Sequence, residues 1–272
     1  MSRVTSRHKV LRLNGSTALA RPDTLAGEEP LEIRIGGEQL TVTMRTPGHD
    51  FDLVAGFLAN EGVIGSADEL IALRYCGDAG TENTYNLIDA DLAPGTELPA
   101  SLNRNLLTTS ACGICGRDSI DSVRTRTRWP VADDPARIAP DVLYGLPDTL
   151  RTAQRTFAST GGLHAAGLFS TDGELLCARE DVGRHNAVDK VVGWALREGR
   201  LPLRGCVLMV SGRASFELTQ KAVMAGIPVL AAVSAPSSLA ADLAQELGLT
   251  LIGFLRGRTA NIYTGGQRVI LD

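Results

Sequence analysis

The chain has 272 residues, of which 44% are hydrophobic, a formal charge of −4 and five cysteines. That length favours two domains or one large one, and burial of roughly 70–75% of the unfolded surface makes a disulfide staple unnecessary. An odd cysteine count fits a reducing compartment better than a disulfide framework. The charge gives no whole-protein signal for nucleic acid, and no run of about 18 apolar residues offers a membrane span.

In chain order, the first twenty residues hold Arg3, Arg7, Lys9 and Arg12 and no acid. They lack the apolar core of a secretory signal, so residues 1–24 read as a disordered basic tail on a cytoplasmic protein. Leu31 to Ile35 and Leu40 to Met44 read as strands joined by a Gly36-Gly37 hairpin turn. After the break at Pro47-Gly48, Phe51, Val54, Phe57 and Leu58 recur at helical spacing over Asp50 to Ala59. Short strands are expected at Ala72 to Cys76 and Tyr85 to Ile88, and Pro94 and Pro99 mark a turn-rich approach to the next segment. A second Pro- and Asp-rich break runs from Pro130 to Pro140. Residues 25–140 are therefore expected to form a small α+β domain.

That domain presents Leu107 to Ile120, L-T-T-S-A-C-G-I-C-G-R-D-S-I, with Cys112 and Cys115 as a C-x-x-C pair. Gly113 and Gly116 free the backbone, Arg117 follows at once, and a short helix is expected from near Asp118. A thiol beside a guanidinium and just before a helix N-terminus loses its proton more easily. Three readings stand at this level: sulfur or redox chemistry, half of a structural zinc site, and a buried pair without function. A full zinc site needs further ligands, and Cys76, Cys177 and Cys206 are isolated. A thioredoxin-like pair normally follows the first strand of a compact unit, a context missing here.

Residues 141–272 read as an α/β domain. A helix is expected over Asp141 to Phe157, then strands near Ala166 to Ser170 and Glu174 to Ala178 around the turn Thr171-Asp172-Gly173. E-D-V-G-R-H-N (180–186) leads into a helix ended by Gly199. Strands at Cys206 to Val210, Ile227 to Val233 and Leu249 to Leu255 then alternate with helices at Ser215 to Ala225 and Ser238 to Leu247. This alternation of apolar strands and glycine-stopped helices predicts a buried parallel sheet.

In open α/β sheets, ligands collect where strand carboxyl ends meet helix N-termini. The residues expected there are Asp181 to Asn186, Ser211-Gly212-Arg213, Ser234 to Ser237 and Arg256-Gly257-Arg258-Thr259. Arg184, Arg213, Arg256 and Arg258 so placed point to a phosphorylated or nucleotide-like ligand. Each arginine taken singly is as well explained by a surface ion pair. His185 is kept as a ligand contact, His164 is left without a role, and Asp181, Asp189 and Lys190 are read as a charged cluster at a helix end.

Five motifs in order carry a family resemblance: S-A-C-G-I-C-G (110–116), G-G-L-H-A-A (161–166), R-E-D-V-G-R-H-N-A-V-D-K (179–190), V-S-G-R-A-S-F-E-L (210–218) and G-F-L-R-G-R-T-A-N-I-Y (253–263). Together they resemble the formate dehydrogenase accessory sulfurtransferases of the FdhD/NarQ family, over all but the first twenty or so residues.

The resemblance implies a sulfurtransferase of the persulfide-carrier type. It accepts sulfur from a cysteine desulfurase as a persulfide on Cys112 and passes it to the molybdenum cofactor, bis(molybdopterin guanine dinucleotide), before the cofactor enters formate dehydrogenase. Cys115 then serves as a candidate relay or resolving thiol. The cofactor, or a guanine nucleotide in its place, is expected at Phe254, Leu255, Arg256, Gly257, Arg258 and Thr259, with Ser211, Arg213, Arg184 and His185 nearby. A cytidine deaminase-like C-terminal domain and a homodimer are implied as well. The deaminase zinc signature, H-x-E followed by P-C-x-x-C, is absent from the sequence, so that chemistry is not carried over. Two other classes stay open: a non-catalytic chaperone that only delivers the cofactor, and a zinc-dependent hydrolase.

Overall fold

A computed structural model describes residues 3–77, 85–99, 121, 123, 124 and 126–271. Cys112 and Cys115, with the loop around them and the expected helix start near Asp118, lie outside the described residues. The first pair of strands, β1 (Thr5–Asn14) and β2 (Thr17–Ala26), forms an antiparallel hairpin paired from Thr5↔Ala26 to Asn14↔Thr17. This corrects the expectation of a disordered tail over residues 1–24. The cue lay in Gly15-Ser16, a two-residue hairpin turn whose glycine has φ 58°.

Next come β3 (Glu29–Ile35), β4 (Glu38–Arg45), helix α1 (Asp50–Asn60), β5 (Leu70–Tyr75) and β6 (Leu87–Leu92). The four strands form one sheet in the order β4-β3-β6-β5, with β3 and β6 parallel and the other two pairs antiparallel. Leu31, Ile33, Ile88 and Ala90 are fully or almost fully buried on its inner face.

The second sheet has the order β12-β11-β10-β9-β7-β8, formed by β7 (His164–Ser170), β8 (Leu175–Asp181), β9 (Cys206–Val210), β10 (Val229–Ala232), β11 (Thr250–Arg256) and β12 (Thr259–Thr264). Only β9, β10 and β11 run parallel; β7 is antiparallel to both β8 and β9, and β12 is antiparallel to β11. The three strands expected to alternate with helices do run parallel, and the strands added by the hairpins, β7, β8 and β12, make the sheet as a whole mixed. The reason is loop length. The turns at Gly173 and Gly257 are too short for a crossover, which parallel neighbours require.

The helices of this half are α2 (Pro140–Ala153), α3 (Arg155–Thr160), α4 (Arg184–Arg197), α5 (Phe216–Met224) and α6 (Ser238–Leu247). The single helix expected over 141–157 is therefore two. The Glu180 carboxylate accepts hydrogen bonds from the Thr156 and Phe157 amides at 2.9 and 2.7 Å, satisfying the free donors at the start of α3.

The cores do not respect a boundary at residue 140. One apolar cluster joins Leu31 and Ile33 of β3 and Leu53, Val54 and Leu58 of α1 to Val188, Val191 and Val192 of α4 and Leu208 and Leu230 of the second sheet. The opposite face of that sheet, with Phe169, Val207, Met209 and Ile252, is covered by Leu143, Leu146 and Leu150 of α2.

Helices α1 and α4 meet at backbone distance. A Cβ on Gly56 would lie 1.8 Å from the Asp189 carbonyl oxygen, and one on Gly193 would lie 1.8 Å from that of Asp52. Around this crossing, buried ions join the two halves. Asp52 pairs with Arg179 at 2.9 Å and Arg197 at 2.6 Å, and Asp189 pairs with Lys221 at 2.7 Å while accepting from Asn60 Nδ2 at 2.6 Å.

The deepest pair is Asp181 with Lys190, 2.7 Å apart and 0% and 1% exposed. The Thr46 amide donates to Asp181 Oδ2 at 3.1 Å, and Lys190 Nζ donates to the Thr46 carbonyl at 2.8 Å. Asp181 Oδ1 accepts from the Gly183 amide and from Asn186 Nδ2, at 2.8 and 3.1 Å, which shapes the turn from β8 into α4.

Two outcomes are expected in denaturant unfolding. Gly56→Ala or Gly193→Ala forces methyl against backbone and destabilises by about 3 kcal/mol or more. Lys190→Met strands a buried carboxylate and costs about 3–5 kcal/mol, whereas Lys190→Met combined with Asp181→Leu recovers part of that loss.

Candidate functional site

The carboxyl ends of β8, β9, β10 and β11 and the amino end of β7 lie along one edge of the second sheet, because His164 pairs with Asp181 and Ala166 with Val210. The loops leaving these strands are laced together. Ser211 Oγ accepts from the Ala165 amide at 2.9 Å, and the Ser234 amide donates to the Gly212 carbonyl at 3.2 Å. Similar bonds run from Ser237 N to Ala214 O and from Phe254 N to Ser234 O, at 3.0 and 3.2 Å. Helices α4, α5 and α6 all start here, so three positive dipole ends face the same edge. Ser237 Oγ caps α6 by accepting from the Ala240 amide at 3.2 Å.

The four arginines separate into two kinds. Arg258 donates to Asp141 Oδ1 at 2.7 Å, and its guanidinium lies 5.3 Å from the Tyr144 ring centre, so it is drawn toward α2. Arg184, Arg213 and Arg256 make no carboxylate ion pair among the described residues. Arg256 Nε donates to the Val233 carbonyl at 2.8 Å, which holds its stem across the end of β10. Arg213 is exposed, and Arg184 is half-buried with its Nε unpartnered. Three cations without carboxylates beside three helix starts make an anion-attracting edge.

The 254–259 segment is irregular. Its pairing with β12 shifts register between Gly253 and Arg256, and Phe254 takes φ 51° while its side chain stays 40% exposed. A bulky residue in the left-handed region costs of order 1–3 kcal/mol and persists only where surroundings impose it. Here the Phe254 amide is held by Ser234, as above, and Gly253 is hemmed in by Pro236 and Tyr263. Leu255 points the other way and is wholly buried in the α2-side core, so only its backbone is available to a ligand. Gly257 and Arg258 form the β11–β12 turn, which Thr259 Oγ1 closes by donating to the Arg256 carbonyl at 3.1 Å.

Between the starts of α4 and α5 lies a polar cluster only partly anticipated. His185 Nε2 is 3.8 Å from Glu217 Oε2, an ion-pair distance too long for a hydrogen bond. His185 Nε2 and Ser215 Oγ are buried without a hydrogen-bond partner. The Glu217 carboxyl is held down to about 2, chiefly by His185 and further by Ser215 and its own amide, against the opposing effect of partial burial. His164 is lowered, first by burial and then by the charges of Arg184 and His185. Glu217 and Ser215 escaped the sequence reading, although S-F-E directly after a strand end and at a helix start was their signal.

Val123 anchors the chain leaving the cysteine segment. It is 1% exposed and packs with Leu243 in a small cluster that also takes in Phe216 and Leu239 at the starts of α5 and α6. Among the described residues, no group of three His, Cys, Asp or Glu side chains is arranged to hold a metal ion. Of the described cysteines, Cys177 is buried, which pushes its thiol up to about 11, and burial raises Cys206 as well. No described helix is long and apolar enough to cross a membrane.

Comparison with known proteins places this geometry in context. The FdhD/NarQ family profile matches residues 26–270. A Streptomyces avermitilis protein named sulfur carrier protein FdhD is 62% identical over 100% of this chain and 98% of its own length. A protein of the same name from Mycobacterium tuberculosis is 54% identical over 99% of this chain and 100% of its own. Among solved structures, one described as a formate dehydrogenase accessory protein from Desulfotalea psychrophila superposes with a TM-score of 0.78 at 23% identity, covering 98% of this chain and 100% of that one. At that identity the superposition speaks for the mixed α/β fold alone. With almost all of the sequence matched by the profile and most of it by near-full-length relatives, the chain belongs to the FdhD/NarQ family.

Proposed function

We propose that this protein is a sulfur carrier for formate dehydrogenase. It takes sulfur from a cysteine desulfurase as a persulfide on Cys112 and transfers it to bis(molybdopterin guanine dinucleotide), the molybdenum cofactor that formate dehydrogenase receives. Cys115, three residues on, is the thiol available for relay or release. Full-length relatives at up to 62% identity that bear the name sulfur carrier protein support the role.

The observation that carries the cofactor side is the strand-end edge with Arg184, Arg213 and Arg256, free of carboxylates among the described residues, and three helix starts beside them. A dinucleotide cofactor brings diphosphates, and guanidinium groups with oriented backbone amides are the donors that suit them. The Arg256–Thr259 turn holds the phosphates in this reading, and Phe254 offers an exposed ring beside them. Ser211 sets the loop through its bond to Ala165 and acts from behind.

The cysteines can reach this edge by chain length. Val123, packed beside Phe216, follows Cys112 by eleven residues, a span of at most about 40 Å. Transfer resembles thiol–disulfide exchange, in which a thiolate attacks an electron-poor sulfur, so Arg117 beside the pair favours loading. The C-terminal layer is read as cytidine deaminase-like, supported by a β7–β8 hairpin followed by three parallel strands. The protein acts in the cytoplasm as a homodimer in this reading.

Two measurements test the proposal. After incubation with a cysteine desulfurase and cysteine, the intact protein gains about 32 Da, one sulfur atom, and Cys112→Ala abolishes the gain. The same variant fails to restore formate dehydrogenase activity in cells lacking the native protein, and full restoration there defeats the carrier role. For the cofactor side, Arg256→Ala weakens GDP binding about tenfold in titration calorimetry, whereas Arg258→Ala, already paired with Asp141, changes it less than about twofold.

A further inference from the structure

An edge built only for phosphates has no use for an ionised carboxylate, since like charges there oppose binding. Glu217 is such a carboxylate. It stands in the first turn of α5, two residues after Ser215, with 52% of its side chain exposed. His185 Nε2 stands behind it, 3.8 Å from Oε2, and the Ser215 hydroxyl lies buried two residues before it, both atoms without a hydrogen-bond partner among the described residues. Of the other described carboxylates near this edge, Asp181 is fully buried on Lys190, Glu180 is bonded to the Thr156 and Phe157 amides, and Asp141 is paired with Arg258. Among the described residues, Glu217 is therefore the unpledged carboxylate that a ligand at this edge can meet.

An ionised carboxylate is acceptor-only and offers two parallel oxygens. The ligand group that matches it is a pair of adjacent N–H donors. Guanine carries that pair, the ring N1–H beside the 2-amino group. Adenine carries an acceptor at N1 and no 2-amino group, so it faces the carboxylate with repelling lone pairs.

The strand ends suit a nucleotide. β9, whose loop leads to Glu217 at the start of α5, and β11, which Arg256 ends, are two strands apart in the sheet order, about 10 Å. That separation is comparable to the reach of a nucleotide from its diphosphate to the far edge of its base. Phosphates at the Arg256 turn and a base at α5 are thus compatible.

We propose that Glu217 selects the guanine base of the bound nucleotide, its two carboxylate oxygens accepting from N1–H and the 2-amino group, with the His185 imidazole 3.8 Å behind them. The inference rests on the guanine nucleotide reading above and names the residue that makes it specific. A glutamate that only capped α5 or paired with His185 would confer no preference between bases.

The test is titration calorimetry of the full-length protein with GDP, inosine diphosphate (which lacks only the 2-amino group) and ADP. The wild type binds GDP about tenfold or more tighter than inosine diphosphate, and tighter still than ADP. In Glu217→Gln the GDP-to-inosine ratio collapses to within about threefold, a selectivity change that altered stability alone does not produce. A wild type with no preference for GDP over inosine diphosphate overturns the proposal without any variant. So does a preference that survives in Glu217→Gln. A wild type that binds none of the three nucleotides takes down the nucleotide reading itself, and this inference with it. Sulfur loading on Cys112, measured separately by mass, is untouched by either outcome.

Discussion

Everything at the strand-end edge depends on one buried ion pair. Asp181 and Lys190 sit 2.7 Å apart with almost no contact with water, and both also bind Thr46 in the chain leaving β4. Burying two charges is costly, and only tight geometry with further hydrogen bonds offsets the desolvation. Here each charge has those bonds. The same Asp181 also receives Gly183 and Asn186, so the pair that ties the halves together shapes the turn that delivers Arg184 and His185 to the edge. Stability and site geometry therefore share a cause.

The α1–α4 crossing explains why the first half cannot be an independent platform. Gly56 and Gly193 bring two helix backbones into contact, Asp52 reaches across to Arg179 of the second half, and Asn60 reaches across to Asp189, which Lys221 also holds. The apolar cluster is continuous through this crossing. The chain that leaves the cysteine segment is tied to this body at Val123, close to the starts of α5 and α6.

The edge itself balances opposite charges. Among the described residues, Arg184, Arg213 and Arg256 lack carboxylate partners, while Arg258 is paired with Asp141 on α2. Glu217 remains ionised because His185, Ser215 and a helix amide favour the carboxylate over its acid. Phe254, held in a left-handed conformation at a register shift, adds local strain of the kind that concentrates at binding sites. Cations for phosphate, a carboxylate for paired N–H donors and an exposed ring form a set suited to a nucleotide.

Sequence by itself determined the family, through five ordered motifs, and much of the secondary structure. The strand at Cys206–Val210 and the helix at Ser238–Leu247 fall where apolar runs and glycine stops put them, because those signals are local. It also brought the four arginines to one edge, since strand–helix alternation dictates where strand ends go. The tertiary structure alone decided that Arg258 pairs away, that Leu255 faces the core, and that Glu217 and Ser215 join His185. It alone joined the two halves into one core and made the sheet mixed, and it turned the basic N-terminal stretch into a paired hairpin. Long-range partners made those choices, and no window of neighbouring residues contains a contact such as Thr46 with Asp181, 135 positions apart.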